Sequence, residues 1–346
     1  MRVCVIGAGI LGGSISYFLT RRGAEVTVID PADRARTATL GSLAWINAHL
    51  SSSDAYFRLR LRSMGLWRSL IAELPGLPIR LSGTLNWEDG RGEMGAVAAE
   101  HQRLGAQTRI VEADEIRQIV PGLAPPGRAL WSPEEGVADP DRIAHAFLSA
   151  AVAKGAVLHH GASVTAIEGE TVTLDEDTEQ RFDRIVLAAG LGAIPLLEAL
   201  GIRLPLAPSP GMLIRTNPQP PLAQPFLAAP AVHFWQMGDG RIIAGADYAG
   251  THSAESVEEI SAGILETLEA LFPGTTMIEE DRRITQRPMP EDGFPILGAV
   301  PGQPTLSIAV THSGVTLAPV IGEMIAADLL GNGDPDLGRY ALSRFG

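Results

Sequence analysis

The chain has 346 residues, of which 45% are hydrophobic, so it is long enough to form a large core in two domains or in one elaborate one. Its formal charge is −13 and no basic cluster occurs. This balance argues against a nucleic-acid partner and favours a small-molecule substrate. Cys4 is the only cysteine, so intramolecular disulfides and clusters of thiolate metal ligands are excluded.

The first 30 residues follow the order strand, glycine loop, helix, strand. A short apolar strand at 3–6 precedes a loop of the form G-x-G-x-x-G at 7–12, and a helix is predicted over 10–22. A second strand, 25–30, ends in an acidic residue. This order is typical of a Rossmann-type unit, so the sequence predicts that a dinucleotide binds here.

Each glycine of this loop has a physical role in such a unit. Gly7 permits a tight turn, and Gly9 lets backbone N–H groups approach a pyrophosphate at the N-terminus of the helix. Gly12 lets the helix pack close to the strand. Asp30 ends the second strand, where its carboxylate can accept hydrogen bonds from a ribose diol.

The rest of the chain alternates between helical and strand patterns. The helices predicted after this unit span 54–74, 93–105, 142–154, 256–272 and 317–330. The predicted strands span 82–85, 156–159, 163–168, 171–175, 182–190 and 306–310, and a hairpin is predicted over 231–246. The segments 121–140 and 205–230 are rich in Pro and are predicted to connect domains.

These patterns predict an α/β protein with two interleaved domains. The Rossmann-type dinucleotide-binding domain is expected to comprise 1–78, 139–207 and 288–346, and an antiparallel-sheet substrate domain 79–138 and 208–287. We expect a cytoplasmic protein, because the first strand begins at residue 2 and leaves no room for a signal peptide. No membrane span is predicted either, because the longest apolar run is broken by two glycines and a proline.

Four further segments carry a resemblance to a known family. They are 41–48, 183–190, 286–298 and 311–319. With the glycine loop they resemble, in order and over nearly the whole length, the D-amino acid oxidase and glycine oxidase group of FAD-dependent oxidoreductases. That group also contains bacterial amino acid dehydrogenases and sarcosine oxidases. The resemblance implies FAD rather than NAD as the cofactor.

The resemblance also implies which residues contact FAD. Ser42 and its neighbours lie where backbone N–H groups could close over the second phosphate, and Arg34 or Arg36 could cover the adenosine. The last helix would direct its N-terminus at the flavin N1–C2 carbonyl, where the helix dipole stabilises the negative charge of the reduced ring. The expected FAD contacts are Gly7, Gly9, Ile10, Leu11, Gly12, Asp30, Pro31, Arg34, Arg36, Ser42, Leu43, Ala44, Trp45, Asn47, Val164, Ala189, Gly190, Gly192, Arg287, Ser313, Gly314, Val315, Thr316 and Leu317.

The activity implied by the resemblance is oxidation of the C–N bond of a small amino acid or secondary amine. A hydride moves to flavin N5, and the resulting imine hydrolyses to a keto acid. Arg287 is expected to clamp the substrate carboxylate with its guanidinium fork. His312 and His233 are candidate catalytic histidines, and Trp235 lies on the strand that carries a substrate-contacting tyrosine in relatives.

Several alternatives stay open at this point. Arg287 could form a structural ion pair, Trp45 could pack in the core, and either histidine could be structural. The substrate could instead be a 2-hydroxy acid, with His312 or His233 as the general base. The chain could also be a flavoprotein subunit that works only with a partner, or a module acting on a modified RNA base, which the negative charge disfavours.

The cysteine and lysine content bears on the cofactor linkage and the electron acceptor. Some sarcosine oxidases attach their flavin through a cysteine near the C-terminus, but Cys4 lies in the first strand. A cysteinyl linkage is therefore excluded and non-covalent FAD is expected. The only lysine, Lys154, lies on a helix far from the expected flavin contacts, which mildly favours a dehydrogenase over an oxidase. Oxygen or another acceptor, the particular amine and the oligomeric state all remain open.

Overall fold

The structure is a computed structural model that describes residues 1–32, 38–49, 53–88, 93–175, 177–246 and 256–346. Its helices are α1 (Ile10–Arg21), α2 (Asp54–Glu73), α3 (Met94–Arg103), α4 (Ala113–Ile119), α5 (Pro140–Ala153), α6 (Ala193–Glu198), α7 (Val257–Leu271) and α8 (Gly314–Leu329). No helix in these residues is long and apolar enough to cross a membrane.

The strands come from all parts of the chain. They are β1 (Arg2–Ile6), β2 (Glu25–Asp30), β3 (Trp45–Ile46), β4 (Ile79–Arg80), β5 (Thr84–Asn86), β6 (Arg109–Glu112), β7 (Arg128–Ser132), β8 (Gly136–Ala138), β9 (Val157–His160), β10 (Val164–Glu168), β11 (Thr171–Leu174), β12 (Glu179–Arg181), β13 (Arg184–Leu187), β14 (Leu206–Thr216), β15 (Phe226–Ala229), β16 (Val232–Gln236), β17 (Ile242–Ala246), β18 (Glu279–Pro290), β19 (Ile296–Val300) and β20 (Gln303–Val310).

A six-stranded sheet with the order β19-β20-β13-β1-β2-β9 forms the centre of the Rossmann-type unit. Its strands are parallel except for β19, which pairs antiparallel with β20. Helices α1, α2, α5 and α8 bury one face of this sheet in a common core. The small antiparallel sheet β10-β11-β12 and α6 bury the other face. This three-layer arrangement confirms the predicted α/β fold class.

A second sheet has eight strands in the order β18-β14-β17-β16-β15-β5-β7-β6. Helix α7 covers one face of it, where Ile264 and Leu268 pack with Ile214 and Phe234. The other face carries a smaller apolar cluster around Trp45. Strands β14 and β18 extend across the domain limits proposed at 207 and 287, so those limits stay a prediction.

The two proline-rich segments, predicted to connect domains, also contain strands that the sequence did not predict. Segment 205–230 contains β14 and β15, and segment 121–140 contains β7 and β8. Pro208 and Pro210 lie in the part of β14 that pairs with β18, whereas the described pairing of β14 with β17 begins at Met212. Proline lacks an N–H donor but is tolerated where a strand pairs on one side only, so its presence did not exclude a strand. The hairpin predicted over 231–246 is confirmed as β16 and β17.

The last helix begins three residues before the predicted start and contains Pro319. A proline inside a helix leaves the carbonyl four residues earlier without its usual N–H donor. Here that carbonyl belongs to Val315, and it accepts a hydrogen bond from the indole Nε1 of Trp67 at 3.1 Å. A side chain of α2 thus compensates for the bond that Pro319 cannot make.

Helices α1 and α8 pack closely enough that one glycine is required at their contact. Ser14 donates a hydrogen bond from Oγ to the carbonyl of Ala318 at 2.7 Å. A Cβ atom added at Gly322 would lie 2.4 Å from Oγ of Ser14 and 2.7 Å from Cδ2 of Phe18. The backbone of α8 therefore lies directly on the side chains of α1.

A carboxyl group is buried where the segment around β3 meets the eight-stranded sheet. Glu135 is 3% exposed and accepts hydrogen bonds from the backbone N–H of Ala48 at 3.0 Å and from Nε1 of Trp45 at 3.1 Å. Burial raises the pKa of Glu135 to about 7, although the bonds from Ala48, Thr84 and Trp45 and the charge of Arg60 act in the opposite direction.

We expect Gly322→Ala to lower the free energy of unfolding by about 1–3 kcal/mol, because the new methyl group overpacks the contact between α1 and α8. Gly65→Ala on α2 is the matched control. No atom lies within 4 Å of its added Cβ, so alanine should raise the stability by up to about 1 kcal/mol. Urea denaturation of both variants measures the difference, and equal stabilities would contradict the tight contact.

Glu135 should make the stability depend on pH with a definite sign. Its pKa is higher in the folded chain than the ordinary value of 4.5, so folding disfavours the ionised form. The free energy of unfolding should therefore fall by about 3 kcal/mol as the pH rises from about 4.5 through 7. Denaturation of the wild type and Glu135→Gln at about pH 5 and about pH 8 isolates this contribution. A wild type and variant with parallel pH profiles would contradict it.

Candidate functional site

The loop between β1 and α1 has no room for side chains at two of its glycines. Gly7 has φ +107°, and a Cβ atom there would lie 2.6 Å from the carbonyl oxygen of Ala188. A Cβ atom at Gly12 would lie 1.9 Å from the carbonyl oxygen of Gly7. The loop therefore packs against the end of β13, and the start of α1 packs against the loop.

The first turn of α1 offers backbone N–H groups that its N-cap residue, Gly9, leaves uncapped, and it contains no acidic residue. Thr39, which the sequence analysis missed, accepts a hydrogen bond at Oγ1 from the N–H of Ile10 at 3.2 Å. A hydroxyl beside a helix N-terminus suits a phosphate group. Its position shortly before Gly41 and Ser42 was the available signal.

Asp30 links the glycine loop to the turn after β2. Its Oδ2 accepts the N–H of Ala8 at 2.7 Å, and its Oδ1 accepts the N–H of Ala32 at 2.8 Å. The structure thus places the acidic residue beside the loop, as the Rossmann pattern predicts, and Pro31 follows it in the same turn. Arg34 and Arg36 lie outside the described residues.

The expected cofactor residues also include the turn after β13 and Val164 on β10. Ala189 precedes a short 3₁₀ turn, Gly190–Gly192, and its Cα would lie 3.0 Å from a Cβ atom on Gly7. Val164 on β10 packs, as Ala189 does, against the cluster that contains Ile6 and Ile29. Ala189 thus borders the glycine loop directly.

The segment 41–45 crosses the open face of the eight-stranded sheet. At Gly41 it lies directly on Thr285 of β18, because a Cβ atom at Gly41 would lie 1.8 Å from the threonine Oγ1. The carbonyl of Leu43 accepts a hydrogen bond from Nε1 of Trp235 at 2.8 Å. Ser42 Oγ accepts the N–H of Ala44 at 3.0 Å, and Ala44 has φ +56°.

Trp45 packs in the core at the end of this segment. It is 8% exposed, and its ring stacks on Phe226 with 4.5 Å between centroids and an angle of 10°. Its indole Nε1 donates to Thr84 Oγ1 at 3.0 Å and to Glu135. The ring of His233 meets Trp45 edge-on at 5.7 Å. Trp45 therefore has the environment of a core residue, which is one of the alternatives that the sequence left open.

A buried arginine joins α2 to the start of α8. Arg60 is 1% exposed, and its Nε and Nη2 donate to the carbonyl oxygen and to Oδ1 of Asn47 at 2.9 and 2.8 Å. Its Nη1 donates to Oγ of Ser313 at 2.7 Å. The sequence analysis missed Arg60, although it lies one turn from Tyr56 and two turns from Trp67 on the predicted apolar side of the helix. A charged residue in that stripe was the available signal.

The N-terminus of α8 lies beside that of α1. Ile10 Cγ2 would be 3.4 Å from a Cβ atom on Gly314, and the first turn of α8 also contains no acidic residue. Thr316 Oγ1 donates to the carbonyl of Trp45 at 3.0 Å and accepts the N–H of Asn47 at 3.3 Å. Of the expected cofactor residues, the structure thus joins 45–47 to the stretch 313–317.

Arg287 is a partly buried cation with neutral partners. It lies opposite Ser209 in the pairing of β18 with β14, and its Nη2 donates to Ser209 Oγ at 3.1 Å and to the carbonyl of Pro210 at 3.2 Å. Its Nε is buried and has no acceptor among the described residues. Those residues also provide no carboxylate for a structural ion pair.

The other candidate substrate residues lie away from Arg287 on the sheet. Trp235 lies opposite Ile243, which lies opposite Arg215, and Arg215 is six residues along β14 from Ser209. His233 Nε2 lies 3.5 Å from Oε2 of Glu88. His312 immediately precedes Ser313 in the turn before α8 and is partly buried. The roles of all three remain predictions.

These features fit an anionic dinucleotide. Two helix N-termini without acidic residues lie side by side, and the hydroxyl of Thr311, just before α8, is buried without a partner among the described residues. Backbone N–H groups and helix dipoles of this kind bind phosphate and other negatively charged groups. No group of acidic, His or Cys side chains in the described parts of the chain could hold a metal ion.

Comparison with known proteins agrees with this fit. A family model for FAD-dependent oxidoreductases, the DAO family, matches residues 2–328. The chain is 27% identical to a subunit of the opine oxidase of Rhizobium meliloti, over 99% of this chain and 96% of the relative. It is 25% identical to glycine oxidase of Bacillus licheniformis, over 95% and 92%. The crystal structure of iminodiacetate oxidase from Chelativorans sp. BNC1 superposes with a TM-score of 0.85 and 26% identity, over 98% of each chain. The chain therefore belongs to the DAO family of FAD-dependent oxidoreductases.

Proposed function

We propose that the protein oxidises the C–N bond of a small amino acid or secondary amine that carries a carboxylate. The observation that carries this proposal is Arg287, a cation with a buried Nε that has no acceptor and with no anionic partner among the described residues. A guanidinium in this state is suited to a bidentate grip on a carboxylate ligand. The described residues around Arg287 provide no carboxylate, so we assign the carboxylate to the substrate.

The relatives support an amine as the reacting group. Those at 25–27% identity are named for the oxidation of opines, glycine and iminodiacetate. We propose that the substrate of this chain shares the nitrogen and the carboxylate that these compounds have in common.

In this mechanism the chain's own residues bind and orient. The glycine loop at 7–12 and the N-terminus of α1 would hold the phosphates of FAD, and Asp30 would hold its ribose. FAD, when bound, supplies the hydride acceptor. Arg287 would hold the substrate carboxylate so that the Cα–H bond has a fixed direction. The carbon loses the hydride and the nitrogen a proton, and water then hydrolyses the imine to a keto acid and the free amine.

We further propose that FAD is bound without a cysteinyl bond. Cys4 is fully buried in β1, and burial raises the pKa of its thiol to about 12. A thiol of this kind is not a nucleophile at neutral pH. Admission of air after anaerobic reduction of the FAD-loaded protein distinguishes oxygen from another electron acceptor.

A second candidate function is that of a flavoprotein subunit that needs a partner. The observation that favours it is the similarity to the opine oxidase of Rhizobium meliloti over 99% of the chain, since that relative is named as one subunit of an oxidase. In that case the isolated chain would bind FAD and remain inactive until the partner is added.

The reaction class can be tested by anaerobic reduction of the FAD-loaded protein. We expect one of the amines glycine, sarcosine, iminodiacetate, proline or a D-amino acid to bleach the visible flavin band. Subsequent admission of air then separates an oxidase, which regains its colour at once, from a dehydrogenase. Bleaching only by 2-hydroxy acids would contradict the proposal. Absence of bleaching until a partner subunit is added would support the second candidate instead.

The role of Arg287 can be tested by Arg287→Met, which we expect to lower kcat/KM by about 100-fold or more, because the carboxylate loses a charged partner. Arg287→Lys keeps the charge but not the fork and should lose less. Arg282→Met is the matched control. Arg282 is on the same strand, opposite Ile214 on the face covered by α7, and it pairs with Glu279. The kcat/KM of Arg282→Met should stay within about twofold of that of the wild type. An equal loss in both methionine variants would exclude a specific role for Arg287.

A further inference from the structure

We propose that Arg60 is a positioning residue whose buried positive charge stabilises negative charge on the bound cofactor, at the N-terminus of α8. The proposal rests on FAD binding and not on the identity of the substrate. It concerns a residue of α2 that forms no part of the glycine loop and does not belong to the expected substrate contacts.

The charge of Arg60 is buried and has only neutral hydrogen-bond acceptors. Its donors go to Asn47, to Ser313 and, at 3.4 Å, to the hydroxyl of Tyr56, whose ring also lies 5.4 Å from the guanidinium carbon. No carboxylate of the described residues forms an ion pair with it. A guanidinium carries a full positive charge, and here that charge lies inside the protein.

The buried carboxyl group of Glu135 does not form a hydrogen bond with Arg60. Glu135 is close enough for Arg60 to affect its pKa, but its hydrogen bonds come from Ala48, Thr84 and Trp45. Arg60 and Glu135 therefore have different hydrogen-bond partners.

The charge of Arg60 lies at the start of a helix. Ser313, which accepts the bond from Nη1, is the residue immediately before α8, so the guanidinium lies next to the positive end of the helix dipole. A cation at a helix N-terminus is repelled by the positive end of the helix dipole. Burial strengthens this repulsion and also raises the cost of a charge without an anionic partner. The arrangement becomes favourable when a negative charge is bound at the same place.

A hydroxyl group just before α8 is buried without a hydrogen-bond partner among the described residues. It belongs to Thr311, which is 4% exposed. The positive charge of Arg60 and the positive end of the α8 dipole favour a bound group that gains negative charge. The unpaired hydroxyl of Thr311 favours a group that accepts a hydrogen bond. Two-electron reduction of a flavin produces such a group, so Arg60 should favour the reduced cofactor over the oxidised one.

The midpoint potential of the bound FAD tests this role without any substrate. It is measured by anaerobic reductive titration against a reference dye at about pH 6, below the pKa of Glu135, so that this carboxyl group is mostly neutral. In Arg60→Gln we expect reduced FAD to lose at least tenfold in affinity relative to oxidised FAD. This corresponds to a potential about 30 mV more negative for a two-electron couple. Arg60→Lys, which keeps the charge, should stay within about threefold, or about 15 mV, of the wild type.

Two further variants separate charge from structure. Arg58→Gln removes a cation two residues away on the same helix, where the side chain is 55% exposed and 3.8 Å from Asp54, and it should leave the potential within the same 15 mV. Asn47→Asp places a carboxylate oxygen where Oδ1 now lies 2.8 Å from Nη2 of Arg60, with almost no change in shape. It should lower the potential as Arg60→Gln does, and it decides the question if Arg60→Gln does not fold.

The proposal is overturned if Arg60→Gln and Asn47→Asp both keep the wild-type potential. It is also overturned if Arg60→Lys falls as far as Arg60→Gln, because shape rather than charge would then be responsible. A shift in Arg58→Gln as large as that in Arg60→Gln would equally exclude a local effect. None of these outcomes depends on which amine the protein oxidises, so this test and the test of the proposed function fail independently.

Discussion

The contact between the N-terminal parts of α1 and α8 determines most of the site. Gly314 lies against Ile10, and α8 continues along α1 to Gly322, where the helix backbone lies on the side chains of Ser14 and Phe18. Because the two helices are fixed along their length, their first turns are fixed side by side. The positive ends of two helix dipoles therefore meet at the edge of one sheet, in a chain whose net charge is −13.

The segment 41–47 is the second constraint, because it links the two sheets. It lies on Thr285 of β18, donates and accepts hydrogen bonds through Asn47 and ends near the first turn of α8, where Thr316 holds the backbone of Trp45. Trp45 itself stacks on Phe226 of the eight-stranded sheet. A change in this segment would thus move the expected cofactor contacts and the face of the sheet that carries Arg287 relative to each other.

Arg60 and Arg287 share an unusual electrostatic state. Many arginines of this chain pair with carboxylates on the surface, as Arg62 does with Glu323, where such pairs contribute little to stability. Arg60 and Arg287 have neutral partners in the described residues, although burial makes an unpaired charge more costly. We propose that these two charges bind negative charge, Arg60 on the cofactor and Arg287 on the substrate.

The features that depend on local pattern could be predicted from the sequence. The glycine loop at 7–12, the strand that ends in Asp30 and the hairpin at 231–246 are each specified by a few neighbouring residues, whose backbone preferences and periodicity act over short distances. The family resemblance also follows from the sequence alone, because its motifs are spread over the chain in a recognisable order. In contrast, β14 was hidden by its prolines, because whether a proline fits a strand depends on which side has a partner.

Which charges are buried, and which groups they contact, depends on how distant elements pack together. Arg60 occurs among several arginines of α2, and only the packing of that helix against α8 makes it the one that contacts Asn47 and Ser313. Thr39 and Glu135 likewise gained their roles through contacts with residues distant in the chain, such as Ile10 and Ala48. Sequence patterns report which face of an element is apolar. The partner of a polar group in that face depends on the position of a second element, which local sequence does not encode.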